Sequence, residues 1–116
     1  MALLQEPTGP ASLLVSNSNW LDSHALFTAR DQELAGAALM LWEITRQLRA
    51  RQGERGLSNS ALGVKSGVRR QTIADVLMGQ VWPDTKTLFR IASVLGLEIT
   101  TISQDTSPSQ IVPFSQ

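Results

Sequence analysis

Apolar residues return at Ala37, Leu41, Ile44 and Leu48, the i, i+4, i+7, i+11 spacing of one helical face. That stripe predicts a helix from Thr28 or Ala29 to about Gln52. Thr28 is placed to cap it, Asp31 and Glu33 suit the positive end of its dipole, and Arg46, Arg49 and Arg51 suit the negative end. Gly53 and Gly56 close it. Its earlier half carries a second apolar face, Leu39 and Trp42 with Met40 beside them. A helix apolar on both sides must be covered on both. These residues are therefore expected either under the N-terminal segment or against a second copy of the chain.

After Gly56 the pattern shortens. Ser58 is expected to cap a helix over 59–66 with Leu57 as a staple, and Gly67 can supply the left-handed backbone that stops it. Gly63 is a minimal residue where two helix backbones must come close, and Val68 is a plug for a small core. Ile73 and Val76 give a further helix, Arg69–Met78, its inward edge, and Gly79 closes it. Trp82-Pro83-Asp84 then turns into a helix capped by Asp84, with Leu88, Ile91, Ala92 and Leu95 inward and Gly96 as its stop. Residues 97–102, LEITTI, alternate as a short strand does. Toward the N-terminus, 1–12 read as irregular chain, 13–16 as a short strand, and 19–27 as helical turns capped by Asn19. Three regions result: an extension over 1–28 that is a candidate for dimerisation, a helical domain over 29–102, and a flexible tail over 103–116 whose Ile111, Val112 and Phe114 are able to dock.

The net charge of zero hides a segregation. Residues 1–43 hold one Arg against five acids, 44–90 hold nine Lys or Arg against three acids, and 91–116 add only Glu98 and Asp105. A basic island around 69–78 is what a phosphate-binding surface requires. The outward residues of that helix, Arg69, Arg70, Gln71, Thr72 and Asp75, are hydrogen-bonding side chains suited to base edges and phosphates. With the glycine-bearing turn before them, they describe a helix-turn-helix DNA reader.

Competing chemistries are poorly supplied. The chain has no cysteine and one histidine, His24, so neither a disulfide nor a zinc site is expected, and no cofactor. Asp22 and Ser23 are too close to His24 in sequence to imply a triad, and Gly53-Glu54-Arg55-Gly56 is a loop rather than a phosphate-binding motif; an enzyme is not expected. No apolar run approaches a membrane span and the start, MALLQEPTGP, lacks the features of a secretory signal, which makes the cytoplasm the expected location.

Residues 44–100 resemble the phage-repressor, Cro-like (XRE-type) helix-turn-helix family. The resemblance is carried in register by Gly56-Leu57-Ser58, Leu62-Gly63, Gly67-Val68, Thr72-Ile73, Gly79, Pro83, Thr87-Leu88 and Leu95-Gly96-Leu97. It implies an all-α, lambda-repressor-like bundle of four to five helices, here with an N-terminal extension and a short C-terminal strand. It further implies a homodimer that docks its third family helix in the major groove of a palindromic operator, and the role expected on this reading is that of a repressor. On that reading Arg70 and Gln71 contact bases, Arg69 a base or a phosphate, and Asp75 either accepts from cytosine or orients an arginine, the latter being favoured. Asn59 matches the family position that binds phosphate and braces the reading helix; Ser58, Lys65, Thr72, Gln80 and Trp82 are the other candidate backbone contacts. Dimerisation falls to Leu39 and Trp42 with the N-terminal segment, or to Leu97 and Ile99 of the 97–102 strand. The sequence departs from the family at Arg69, where a Ser or Thr cap is usual, at Leu77-Met78 before the closing glycine, and in the long segment before the first family helix. The alternative reading is an antitoxin-type module that neutralises a partner toxin and autoregulates its promoter.

Overall fold

A computed structural model describes residues 9–29, 31–98 and 111–113. Its longest element is α1, Gln32–Glu54, which at 23 residues extends about 34 Å. Helices α2 (Asn59–Ser66), α3 (Arg70–Leu77) and α4 (Thr85–Val94) share a core with its C-terminal half through Leu48. A 3-10 turn, Pro10–Leu13, and strand β1, Phe27–Ala29, pack against its N-terminal half. β1 pairs in parallel with β2, Ile111–Pro113, in the register Thr28 opposite Val112.

One helix thus serves two cores. Leu48, Leu62, Ile73, Val76, Leu77, Ile91, Ala92 and Leu95 form the first, which ties α2, α3 and α4 to α1. Trp20, Ala25, Phe27, Ala38, Leu41 and Trp42 form the second. Removing side chains of this size from water contributes about 1.5–3 kcal/mol each. The second core buries polar atoms as well, and each is answered. The Trp42 Nε1–H donates to the Trp20 carbonyl at 2.9 Å, and the Trp20 Nε1–H donates to Thr45 Oγ1 at 3.0 Å. Thr45 in turn donates its hydroxyl to the Trp42 carbonyl at 3.1 Å. Trp20 also stands edge-on to Phe27, with ring centroids 5.9 Å apart.

Several expectations are corrected. Thr28 does not cap α1; it lies in β1, and Asp31 caps the helix by accepting from the Leu34 N–H at 3.0 Å. Ala37 is exposed, and the inward phase of α1 runs through Ala35, Ala38, Leu41, Trp42, Thr45 and Leu48. Residues 13–16 form no strand beyond a single bridge from Leu14 to Phe27. The fold is mostly helical rather than all-α, because the segment read as a flexible tail supplies β2. Of the strand expected over 97–102, Leu97 and Glu98 are irregular, and 99–102 lie outside the described residues. Trp42, expected at a dimer contact, is 4% exposed under the chain's own N-terminal segment and offers no surface to a second copy. Leu39 is half-buried against the same core.

Candidate nucleic-acid interface

The α2–turn–α3 unit is built by local rules. Ser58 accepts from the Ala61 N–H at 3.0 Å and so starts α2. Gly67 ends it at φ +73°, where its N–H donates to the Gly63 carbonyl at 2.9 Å. The chain then turns back so tightly that a Cβ on Gly63 would stand 2.7 Å from the Val68 carbonyl oxygen. Only glycine leaves room for the two backbones there. Arg69 follows in extended conformation and α3 starts at Arg70 with no side-chain cap. Its first intrahelical bond runs from Ile73 N–H to the Arg69 carbonyl, so the amides of Arg70, Gln71 and Thr72 have no acceptor within the helix. The same end presents the Arg69 and Arg70 guanidiniums, an arrangement that costs about 0.3–1 kcal/mol per cation in the free protein and changes sign when an anion arrives.

Ile73, Val76 and Leu77 anchor α3 in the first core, which turns Arg69, Arg70 and Gln71 to solvent. Neither arginine makes an ion pair or a side-chain hydrogen bond among the described residues. Ser58, Asn59, Ser60, Arg70, Gln71 and Ala74 line one groove, so the α2 N-terminus and the α3 N-terminus share a surface. Thr72 is half-buried on α3, while Gln80 and Trp82 lie exposed just beyond it. Asp75 does not orient an arginine: its Oδ1 accepts from Gln71 Nε2 at 2.9 Å. Lys65 is placed elsewhere, in a second groove with Lys86, Phe89 and Arg90, and it does not line the first.

Two supporting residues escape a reading of the sequence. Gln52, near the end of α1, donates its Nε2–H to Asn59 Oδ1 at 2.7 Å and so fixes the amide of an α2 residue that shares a groove with Arg70 and Gln71. Arg49 donates from Nη1 to the Leu77 carbonyl at 2.8 Å and lies 3.4 Å from Thr45 Oγ1. Desolvation first, and repulsion from Arg46 second, hold the Arg49 guanidinium below its ordinary pKa. Nothing local marks either role, since glutamine and arginine near a helix C-terminus ordinarily face water.

No helix among the described residues is long and apolar enough to cross a membrane. No curated protein and no solved structure matches the chain. Residues 47–102 match the family model described as Helix-turn-helix, beginning within α1 and covering α2, the turn, α3 and α4. A segment that presents an uncapped, arginine-bearing helix across a glycine turn and also matches this model has the build of a helix-turn-helix domain, and residues 47–102 are similar to the helix-turn-helix family over that stretch.

Proposed function

We propose that the chain is a sequence-specific regulator of transcription that reads double-stranded DNA as a dimeric repressor on a palindromic operator. The observation that carries this reading is the exposure of Arg69, Arg70 and Gln71 at the free N-terminus of α3, in one groove with Ser58 and Asn59. An Arg fork matches guanine O6 and N7, and a Gln amide matches adenine N6 and N7. Backbone amides and side chains of the α2 start suit flanking phosphates, which position the domain without reading sequence. With Trp42 covered, the described candidate for the contact between subunits is Leu97, half-buried and lining a groove with half-exposed Phe89. In this reading the protein binds and does not catalyse, and it acts in the cytoplasm, where the DNA is.

Selection from random duplexes tests the proposal. A consensus with two inverted half-sites whose centres lie about 34–36 Å apart is the expected result. Enrichment of no sequence over the input pool defeats specific reading. Light scattering at micromolar concentration tests the dimer separately; a strict monomer both alone and on the selected duplex defeats that part.

A further inference from the structure

The reading helix is held at its C-terminal end by groups outside the α2–turn–α3 unit. An α-helix leaves its last four carbonyls without intrahelical donors. In α3 three of them are answered locally: Met78 N–H donates to Ala74, Gln80 N–H to Asp75 at 2.8 Å, and Gly79 N–H to Val76 at 3.2 Å, around a left-handed Gly79 at φ +72°. The fourth, on Leu77, takes the Arg49 guanidinium of α1. A cation at that end of a helix is favoured by its dipole. Arg49 is itself held against Thr45, whose hydroxyl oxygen also accepts from Trp20 Nε1.

The N-terminal segment closes on the same point from the other side. The Trp20 ring lies so close on Gly79 that a Cβ there would overlap ring carbon Cδ2. The Gly79 carbonyl accepts from the Ala11 N–H at 2.8 Å, and Gly9 sits against the Gln80 backbone so closely that any side chain on it would overlap. Residues 9–46 lie outside the helix-turn-helix match. The segment that distinguishes this chain from the bare domain therefore reaches the far end of the very helix whose near end carries Arg70 and Gln71.

We propose that Trp20, Thr45 and Arg49 are positioning residues for DNA recognition, a clamp through which the N-terminal extension sets the aim of α3 without touching DNA. The inference rests on the DNA-reading proposal for its consequence and on intramolecular contacts for its mechanism. An eight-residue helix is a short lever. Loosening one end tilts the other, and an arginine fork that must meet two acceptors on one base tolerates little tilt. Phosphate contacts, which are individually less directional, tolerate more.

The test uses the full chain with Arg49→Met, Arg49→Lys and Trp20→Phe, the last keeping a ring on Gly79 while removing the donor to Thr45. Hydrogen exchange without DNA is read first. Arg49→Met should exchange the Met78, Gly79 and Gln80 amides faster, by about fivefold, while α2 amides keep their protection; Arg49→Lys should restore part of it. Binding is then titrated against the selected duplex and a scrambled one. The ratio of the two affinities should fall by about tenfold in Arg49→Met, with scrambled-duplex affinity and its salt slope at the wild-type values. Trp20→Phe should show smaller changes of the same kind, and it carries the test should Arg49→Met fail to fold. Unchanged exchange at 78–80, or equal loss across α2 and α3, overturns the clamp. So does a fall in both affinities by one factor with a shallower salt slope, which would place Arg49 on a phosphate. A wild-type chain with no sequence preference defeats the DNA reading instead, and the exchange arm still decides the clamp.

Discussion

Gln71 Nε2 donates to Asp75 Oδ1 at 2.9 Å, one helical turn along α3. The bond orders the amide of the residue assigned to adenine and leaves its carbonyl and second N–H free. An ordered side chain avoids about 0.5–1.5 kcal/mol of immobilisation on binding. In the proposed complex the same carboxylate would repel the phosphates on either side of the groove. Asp75→Ala is therefore expected to raise affinity for a scrambled duplex and to lower the preference for the selected one. Anisotropy titrations against both duplexes at one salt concentration check this. Parallel changes in the two affinities would remove the orienting role.

Arg70→Ala is expected to lose about 1–3 kcal/mol on the selected duplex and to relax preference at one base pair. Lys65 lies in the separate groove with Lys86 and Arg90, so in the proposed reading its part in DNA binding is charge rather than a base contact. Lys65→Ala should weaken selected and scrambled duplexes alike and flatten the dependence of log K on log salt. Competition binding across a salt series separates the two. If both substitutions act equally on selected and scrambled DNA, direct readout by Arg70 is wrong.

Gly63 and Gly67 bracket the same turn but fail differently when replaced. At Gly67 a Cβ would find its nearest atom, Arg90 Nη1, at an ordinary 3.7 Å, so alanine there suffers only left-handed strain, about 1–2 kcal/mol. Asparagine tolerates that conformation and should cost less. At Gly63 the obstacle is a backbone carbonyl 2.7 Å away, which cannot swing aside, and about 1–3 kcal/mol of overpacking follows. Urea unfolding of the three variants checks the contrast. Gly67→Asn more costly than Gly67→Ala would contradict the strain argument.

The α2–turn–α3 unit was legible because each of its decisions is made by near neighbours. Ser58 caps, Gly67 stops and Ile73 with Val76 points inward within a window of a few residues. The phase of α1 was harder. Leu41 and Leu48 fit either an Ala37 or an Ala38 register, and the inward phase includes Thr45, a polar residue whose burial depends on two distant tryptophans. Trp20 over Gly79 and Arg49 on the Leu77 carbonyl join residues far apart in sequence, and periodicity carries no record of such partners. The strand at Ile111–Pro113 was missed for a related reason. Three residues in a polar, proline-bearing tail have no period to read, and their order comes from pairing with β1.

Two carboxylates make stability depend on acid. The Thr87 backbone N–H donates to Asp84 at 2.7 Å and, with the Thr87 hydroxyl, holds its pKa below the ordinary value. The Arg46 guanidinium does the same for Glu43 against a smaller opposing effect of burial. A carboxyl whose folded pKa lies below its unfolded one stabilises the fold fully above the unfolded value, about 4. That contribution is lost as the pH falls through the depressed folded value. The urea midpoint is thus expected to be level from pH 7 toward 5 and to drop below about pH 4. Asp84 is exposed and Glu43 only half-buried, and the Glu43–Arg46 pair at the surface contributes little. The α4 cap should therefore dominate. Asp84→Asn keeps an oxygen for the Thr87 N–H while removing the titration, so its midpoint should fall less steeply between pH 5 and 3 than that of the parent chain. Identical slopes would mean that the cap at Asp84 is not what acid breaks.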